Sequence, residues 1–344
     1  MNQTELATQL QQAGIVNQAS TVQLQHVASP WWLQVLLAIA AWIASLLIIG
    51  SFIGPVLAIA DSNSVRAVMA ILLISAAIWL ATKPQEFLQQ MSVAVALAGQ
   101  GLLVYASYEF FKDDEIARYA CAALAVLLLL SPLKPLHQRL SISIALACLL
   151  SLISSAIVLA ASGVGLAVAA ILLWYNRPKW ATCRYAQTVK SLLEVATLAA
   201  LLLAISGQSM AWFDSRIWLE NGAALATTFY STSAAIIFIS SVFWLSRHAT
   251  VPSRLALLST TLLLSILLYS ASGLLICTAL MLACFYGCSM LWYGLCLLSM
   301  LFTTSQFYYS LHQTLLYKSA ILALSGLLLL AAWFLLQRYQ RRFV

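Results

Sequence analysis

"LSISIALACLLSLISSAIVLAASGVGLAVAAILLWYN", residues 140–176, runs from Arg139 to Arg177 without a charged side chain. As one straight helix these 37 residues would be about 55 Å long. The hydrocarbon of a bilayer is only about 30 Å thick. The stretch is too apolar for a soluble surface and too long for one crossing, so it folds back on itself. Turn-prone residues cluster at Ser162-Gly163-Val164-Gly165, and the reversal is expected there.

The whole chain has the same character. Of its 344 residues 63% are apolar and 8% charged, where a soluble domain carries roughly a quarter charged residues. Such a chain cannot cover its own surface in water and is solvated by lipid. Its apolar runs lack the alternation of a transmembrane barrel. Lipid offers no partner to open backbone groups, which leaves α-helices as the way across. The expected class is all-α, a polytopic membrane protein.

Charges delimit the crossings. Nineteen residues separate Lys318 from Arg338, about one bilayer thickness, so the two mark the edges of the last helix. From Arg254 to Lys318 there is no Asp, Glu, Lys or Arg, and "YSASG" (269–273) and "FYGCS" (285–289) divide that run into three. The resulting segments are 32–58, 67–82, 91–110, 117–131, 141–160, 164–175, 190–206, 222–245, 254–270, 273–287, 289–304 and 318–337. These make about twelve crossings, or ten if a pair is lost. With the N-terminus inside, cytoplasmic loops and tail hold twelve of the 17 Lys and Arg residues. Arg66, Lys112, Arg118, Arg216 and Lys318 fall outside. The positive-inside rule therefore favours both termini in the cytoplasm of a bacterial inner membrane. Residues 1–30 form a short polar cytoplasmic segment, 31–337 the membrane domain and 338–344 a basic tail.

The first 31 residues have no Lys or Arg and are rich in Gln, unlike a signal peptide, so the first apolar helix is expected to act as an uncleaved insertion signal. Leu6, Leu10 and Ala13 suggest a short surface helix ending at Gly14, a docking element or simply a solvated leader. The charge of +7 follows from loop bias and is no footprint of nucleic acid.

An ionisable residue at mid-bilayer is costly and points to function. Glu194 is the candidate functional charge, although Lys190 stands at i−4 and an interfacial ion pair is the plainer expectation. Glu109 and Lys112-Asp113-Asp114-Glu115 form a charged turn, read as solvated or as a cation holder. The four histidines, His26, His137, His248 and His312, are scattered through loops without metal-ligand spacing. Six of the seven cysteines lie in apolar stretches and no CxxC occurs, so they read as small hydrophobes. Cys277, Cys284 and Cys288 share helical spacing, suited to close packing or to a soft metal. No Walker, GxSxG or paired-aspartate motif appears, so no enzyme, metal site or cofactor is expected.

The eighth segment is the most polar, with Thr227, Thr228, Tyr230, Ser231 and Ser241 near helical spacing. That stripe admits two readings, a cavity lining for a neutral solute or hydrogen bonding between helices. Gly54-Pro55 interrupts the first helix near its end. Tyr308, Tyr309 and Tyr317 surround Lys318 as an aromatic belt around a snorkelling cation, an interfacial anchor.

The closing stretch "FYYSLHQTLLYKSAILALSG" (307–326), with Tyr309, Leu311, Thr314, Leu315, Leu316, Lys318, Ser319 and Gly326, resembles bacterial membrane proteins grouped as domain of unknown function 4401. The polar head with "LQQAGIV" (10–16) and "SPWWLQVLLAIAAWIASLLIIGSF" (29–52) is similar too. That family often carries a basic Gly-Asn turn before its penultimate helix, where this chain reads Tyr286-Gly287-Cys288-Ser289. The resemblance implies a membrane assembly with a second polytopic protein and a small GDYxxLxY-motif protein, and no activity. The expected function is a non-catalytic subunit or scaffold; the alternative is a transporter or flippase for a neutral or amphiphilic molecule.

Overall fold

A computed structural model describes residues 31–48, 50–51, 54, 62–83, 85–129, 135–208, 223–310 and 315–340. The polar head, Pro55, Arg216, His312 and the residues 341–344 of the tail lie outside the described residues, as do the side chains of Tyr317, Lys318 and Arg338.

The described residues form twelve helices of fifteen residues or more and no strand. In order they are α1 (Trp31–Ile48), α2 (Asn63–Ala81), α3 (Glu86–Phe111), α4 (Asp114–Leu129), α5 (Pro135–Ser151) and α6 (Ala156–Tyr175). Then come α7 (Ala186–Gln208), α8 (Ala223–Leu245), α9 (Val251–Leu267), α10 (Ser272–Tyr286), α11 (Met290–Ser310) and α12 (Leu315–Gln340). Six contain stretches long and apolar enough to cross a membrane, namely α2, α3, α6, α7, α8 and α11; α9, α10 and Ser319–Phe334 of α12 are shorter apolar helices. Outward-facing Leu47, Ile236, Ile266 and Leu301 are all about two-thirds exposed. A surface of that kind is stable only in lipid, and the protein is membrane-embedded.

The chain divides into two compact units, 1–110 and 111–344. In the first, α2 and α3 meet through Ala77, Leu80, Val95 and Ala96. Gly99 allows the approach, since a Cβ there would lie 2.9 Å from Ile74 and 3.1 Å from the Ala70 carbonyl.

In the second unit α10 is the axis. Ten of its fifteen residues are buried, packed among α6, α7, α8 and α11. The α4–α5 pair flanks α7, while α9 lies on α8 and α12 on α9. Between lipid-solvated helices there is no hydrophobic drive to associate, so tight packing of small residues has to supply the attraction. The sequence provides it at helical spacing: Ala156, Ala160, Gly163, Ala167 and Ala170 on α6, and Ala196, Ala200 and Ala204 on α7, are all buried.

The reversal in the uncharged run falls at residues 152–155, and the expected turn at Ser162–Gly165 is corrected: those residues sit inside α6. Of these residues Gly163 is buried in the helix packing. The Ser162 hydroxyl donates to the Val158 carbonyl of its own helix at 2.8 Å. A Cβ on Gly163 would already be 3.4 Å from the Tyr230 ring. The true turn ends at Ser155, whose extended backbone (φ −103°, ψ 128°) starts α6 as an N-cap residue.

Two outcomes test this packing. With the exposed Cys183 and Cys288 replaced by Ser, a Ser154→Cys variant will react with a membrane-impermeant maleimide and Gly165→Cys will not. Ala200→Leu will overfill the alanine seam and cost about 1–3 kcal/mol, read as a lower melting temperature in detergent.

Candidate functional site

Charge collects at one end of the second unit. The start of α5, the end of α6, the start of α7, the ends of α8 and α10 and the starts of α9 and α11 lie there, as contacts among Trp174, Tyr175, Arg177, Lys190, Phe243, Trp244, Arg254 and Tyr286 show. Among the described residues Arg139, Arg177, Lys179, Arg184, Lys190, Arg247 and Arg254 stand at this end against the single carboxylate of Glu194. The opposite end holds Asp113, Asp114, Glu115 and Arg118 at the start of α4.

Several of the arginines at the basic end are held by specific partners. The guanidinium of Arg177 donates to the carbonyl of Gly287, the C-cap residue of α10. A helix C-terminus leaves carbonyls without partners and carries partial negative charge, so a cation placed there satisfies both needs. Trp174 lies against the same turn: its indole N–H donates to the Thr197 hydroxyl at 3.1 Å, and a Cβ on Gly287 would run into its ring. Cys288 follows with φ 52°, a left-handed conformation that closes the turn onto α11. The Arg247 and Arg254 guanidinium groups stack over Trp244 and Phe243, at 4.2 and 4.4 Å from the ring centroids.

Two cavities open beside α6. The first, about 550 Å³, is lined by Arg139, Arg177, Lys190, Glu194 and the indoles of Trp174, Trp180 and Trp292. Within it Arg139 Nε lies 2.6 Å from Glu194 Oε2, close enough for an ion pair though not aligned as an N–H hydrogen bond. The second, about 420 Å³, has an aromatic wall: Tyr175 stacks on Trp244 at 4.0 Å, and Tyr286 stands edge-on to both. The Tyr175 and Ser241 hydroxyls are buried in its lining. Cations over aromatic walls bind anionic or amphiphilic groups.

The structure spreads the residues singled out from sequence. Glu194 is in the first cavity, paired with Arg139 of α5 and not with Lys190 one turn away. Ser241 lines the second cavity. Thr227 and Thr228 are exposed and donate to the Ala224 carbonyl of their own helix; Ser231 is half-buried, and Tyr230 is buried against α6. Tyr308 and Tyr309 meet edge to face at 5.5 Å, with Tyr309 mostly exposed, and Lys318 falls on the first turn of α12. In the charged turn, Asp113 accepts from the Glu115 backbone N–H at 2.8 Å and so caps α4. Cys277 and Cys284 are buried while Cys288 is in the exposed turn, so the three do not share a face. Among the described residues no group of three His, Cys, Asp or Glu side chains is placed to hold a metal.

Sequence reasoning missed the Arg177–Gly287 cap, the aromatic wall and His137. The last was expected in a loop and is instead buried in the first turn of α5, with both ring nitrogens unpartnered. The one signal available was the unusual density of Trp and Tyr beside basic residues in "WYNRPKW" (174–180).

The chain belongs to the family described as Domain of unknown function (DUF4401), whose model matches residues 30–339. No curated protein and no solved structure matches it.

Removing Arg139 strands Glu194. A double-mutant cycle of Arg139→Gln and Glu194→Gln, read by thermal unfolding, is expected to give a coupling of about 0.5–1 kcal/mol, the low value reflecting solvent screening. Arg139 is 37% exposed and Glu194 14%. Gly287→Ala will cost more, about 1–3 kcal/mol, because its methyl group has no room against Trp174.

Proposed function

We propose that this protein is a non-catalytic integral subunit or scaffold of a membrane assembly in the bacterial inner membrane. The observation that carries this reading is the filled axis of the second unit. A solute path would run along the centre of a helical bundle, and α10 occupies that line with ten buried residues of fifteen. The hydroxyls of Thr227, Thr228 and Thr232 donate to carbonyls of their own helix.

In this reading each of the twelve helices is a crossing, and the basic end faces the cytoplasm, where Lys and Arg accumulate. Both termini then lie on that side, with the polar head and basic tail available to partners. The resemblance suggests which partners to look for: a second polytopic protein and a small GDYxxLxY-motif protein. A transporter or flippase of amphiphiles is the second reading. The feature in its favour is that the first cavity lies at the flank of the unit, with the 75% exposed Leu291 at its rim.

Extraction of the tagged chain in mild detergent decides between them. The subunit reading expects stoichiometric co-purification of the GDYxxLxY protein, lost on deletion of residues 1–28, and no movement of a fluorescent lipid analogue in proteoliposomes above empty vesicles. A solitary chain that moves the analogue would replace it with the second reading.

A further inference from the structure

The cavity that holds the Arg139–Glu194 pair is one part of a longer seam. One turn further along the same two helices, α7 and α11 enclose an apolar groove of about 430 Å³, with Leu198, Leu202, Leu298 and Phe302 along it and Gln306 toward its far end. Leu202 and Leu298 are 58% and 63% exposed, and in a membrane that exposure is to acyl chains. From Leu198 to Ser206 helix α7 advances about 12 Å, close to the depth of one leaflet, about 15 Å. Leu198 is one turn past Glu194, and Leu295 is one turn past Trp292, so the polar cavity caps one end of the groove.

We propose that this seam binds one phospholipid with an anionic head, its phosphate among Arg139, Arg177 and Lys190 and an acyl chain in the groove. The charge balance selects the head. Three cations face one carboxylate, a net charge of +2 in the cavity lining, and a zwitterionic head would bring a cation of its own into that field. Among the described residues Lys190 has no carboxylate at ion-pair distance, so its ammonium is free for a phosphate oxygen. Trp180 and Trp292 stand where indoles favour the boundary between head groups and hydrocarbon. The groove selects a lipid over a soluble anion, because its polar cavity continues into a surface that only an acyl chain covers well. Binding at this seam depends on neither reading of the protein's larger role.

The test uses the full-length protein in nanodiscs of equal phosphatidylglycerol and phosphatidylcholine, with bound lipid read by native mass spectrometry. The expected result is preferential retention of one phosphatidylglycerol. Lys190→Gln should lower that retention about fivefold, the effect of one surface cation near anionic lipid, with an unchanged melting temperature in pure phosphatidylcholine. Leu202→Trp, which fills the groove without touching the cations, should lower it as well. Inorganic phosphate should not raise the melting temperature as phosphatidylglycerol does. Equal retention of the two lipids, retention indifferent to Lys190→Gln or to Leu202→Trp, or stabilisation by free phosphate equal to that by the lipid would each overturn the proposal.

Discussion

The last carbonyls of a helix have no partner along the chain, and the second unit is organised around one such group. Helix α10 has fifteen residues, about 22 Å, shorter than the hydrocarbon of a bilayer. In its last turn Ala283 and Cys284 are buried while Phe285 and Tyr286 are exposed, and the closing carbonyl takes its partner from a neighbouring segment. The Arg177 guanidinium reaches across from the end of α6 and takes the Gly287 carbonyl. Trp174 from the same helix covers the turn, and the missing side chain of Gly287 lets it lie close. A short central helix is possible because α6 supplies both its cap and its lid.

The remaining packing follows from having α10 at the axis. Alanines on α6 and α7 bring neighbouring backbones close enough for dispersion to hold them, which leaves little open volume in the middle. Space appears instead at the basic end and along the α7–α11 flank, where bulky indoles and long cations cannot pack as alanines do. Chemistry and volume therefore coincide at the periphery. This distribution suits a protein that meets other molecules at its surface.

Much of the fold was legible because its causes are local. Apolar composition requires lipid, lipid requires helices, and charges mark where helices emerge; "YSASG" and "FYGCS" do separate α9, α10 and α11. The turn at Ser162–Gly165 misled because Gly and Ser break helices in water but join them in hydrocarbon, where a serine bonds its own backbone and a glycine admits a neighbour's ring. The site was far less legible. Glu194 was visible as an oddity, yet the partner it meets, Arg139, stands on another helix and is not the Lys190 that local spacing offered. Tyr175, Trp244 and Tyr286 come from three helices, and no spacing rule unites them. Pairings across helices are set by the tertiary arrangement, which one sequence does not spell out.

The Arg177 cap also bears on how the protein is made. Arg177 precedes Gly287 by 110 residues, roughly 5–20 s of synthesis at ribosomal speed. The guanidinium and the indole beside it have already left the ribosome when the carbonyl they serve emerges. A short apolar segment that would be a poor candidate for independent insertion thus finds its receptor waiting, and the chain order itself acts as an assembly schedule.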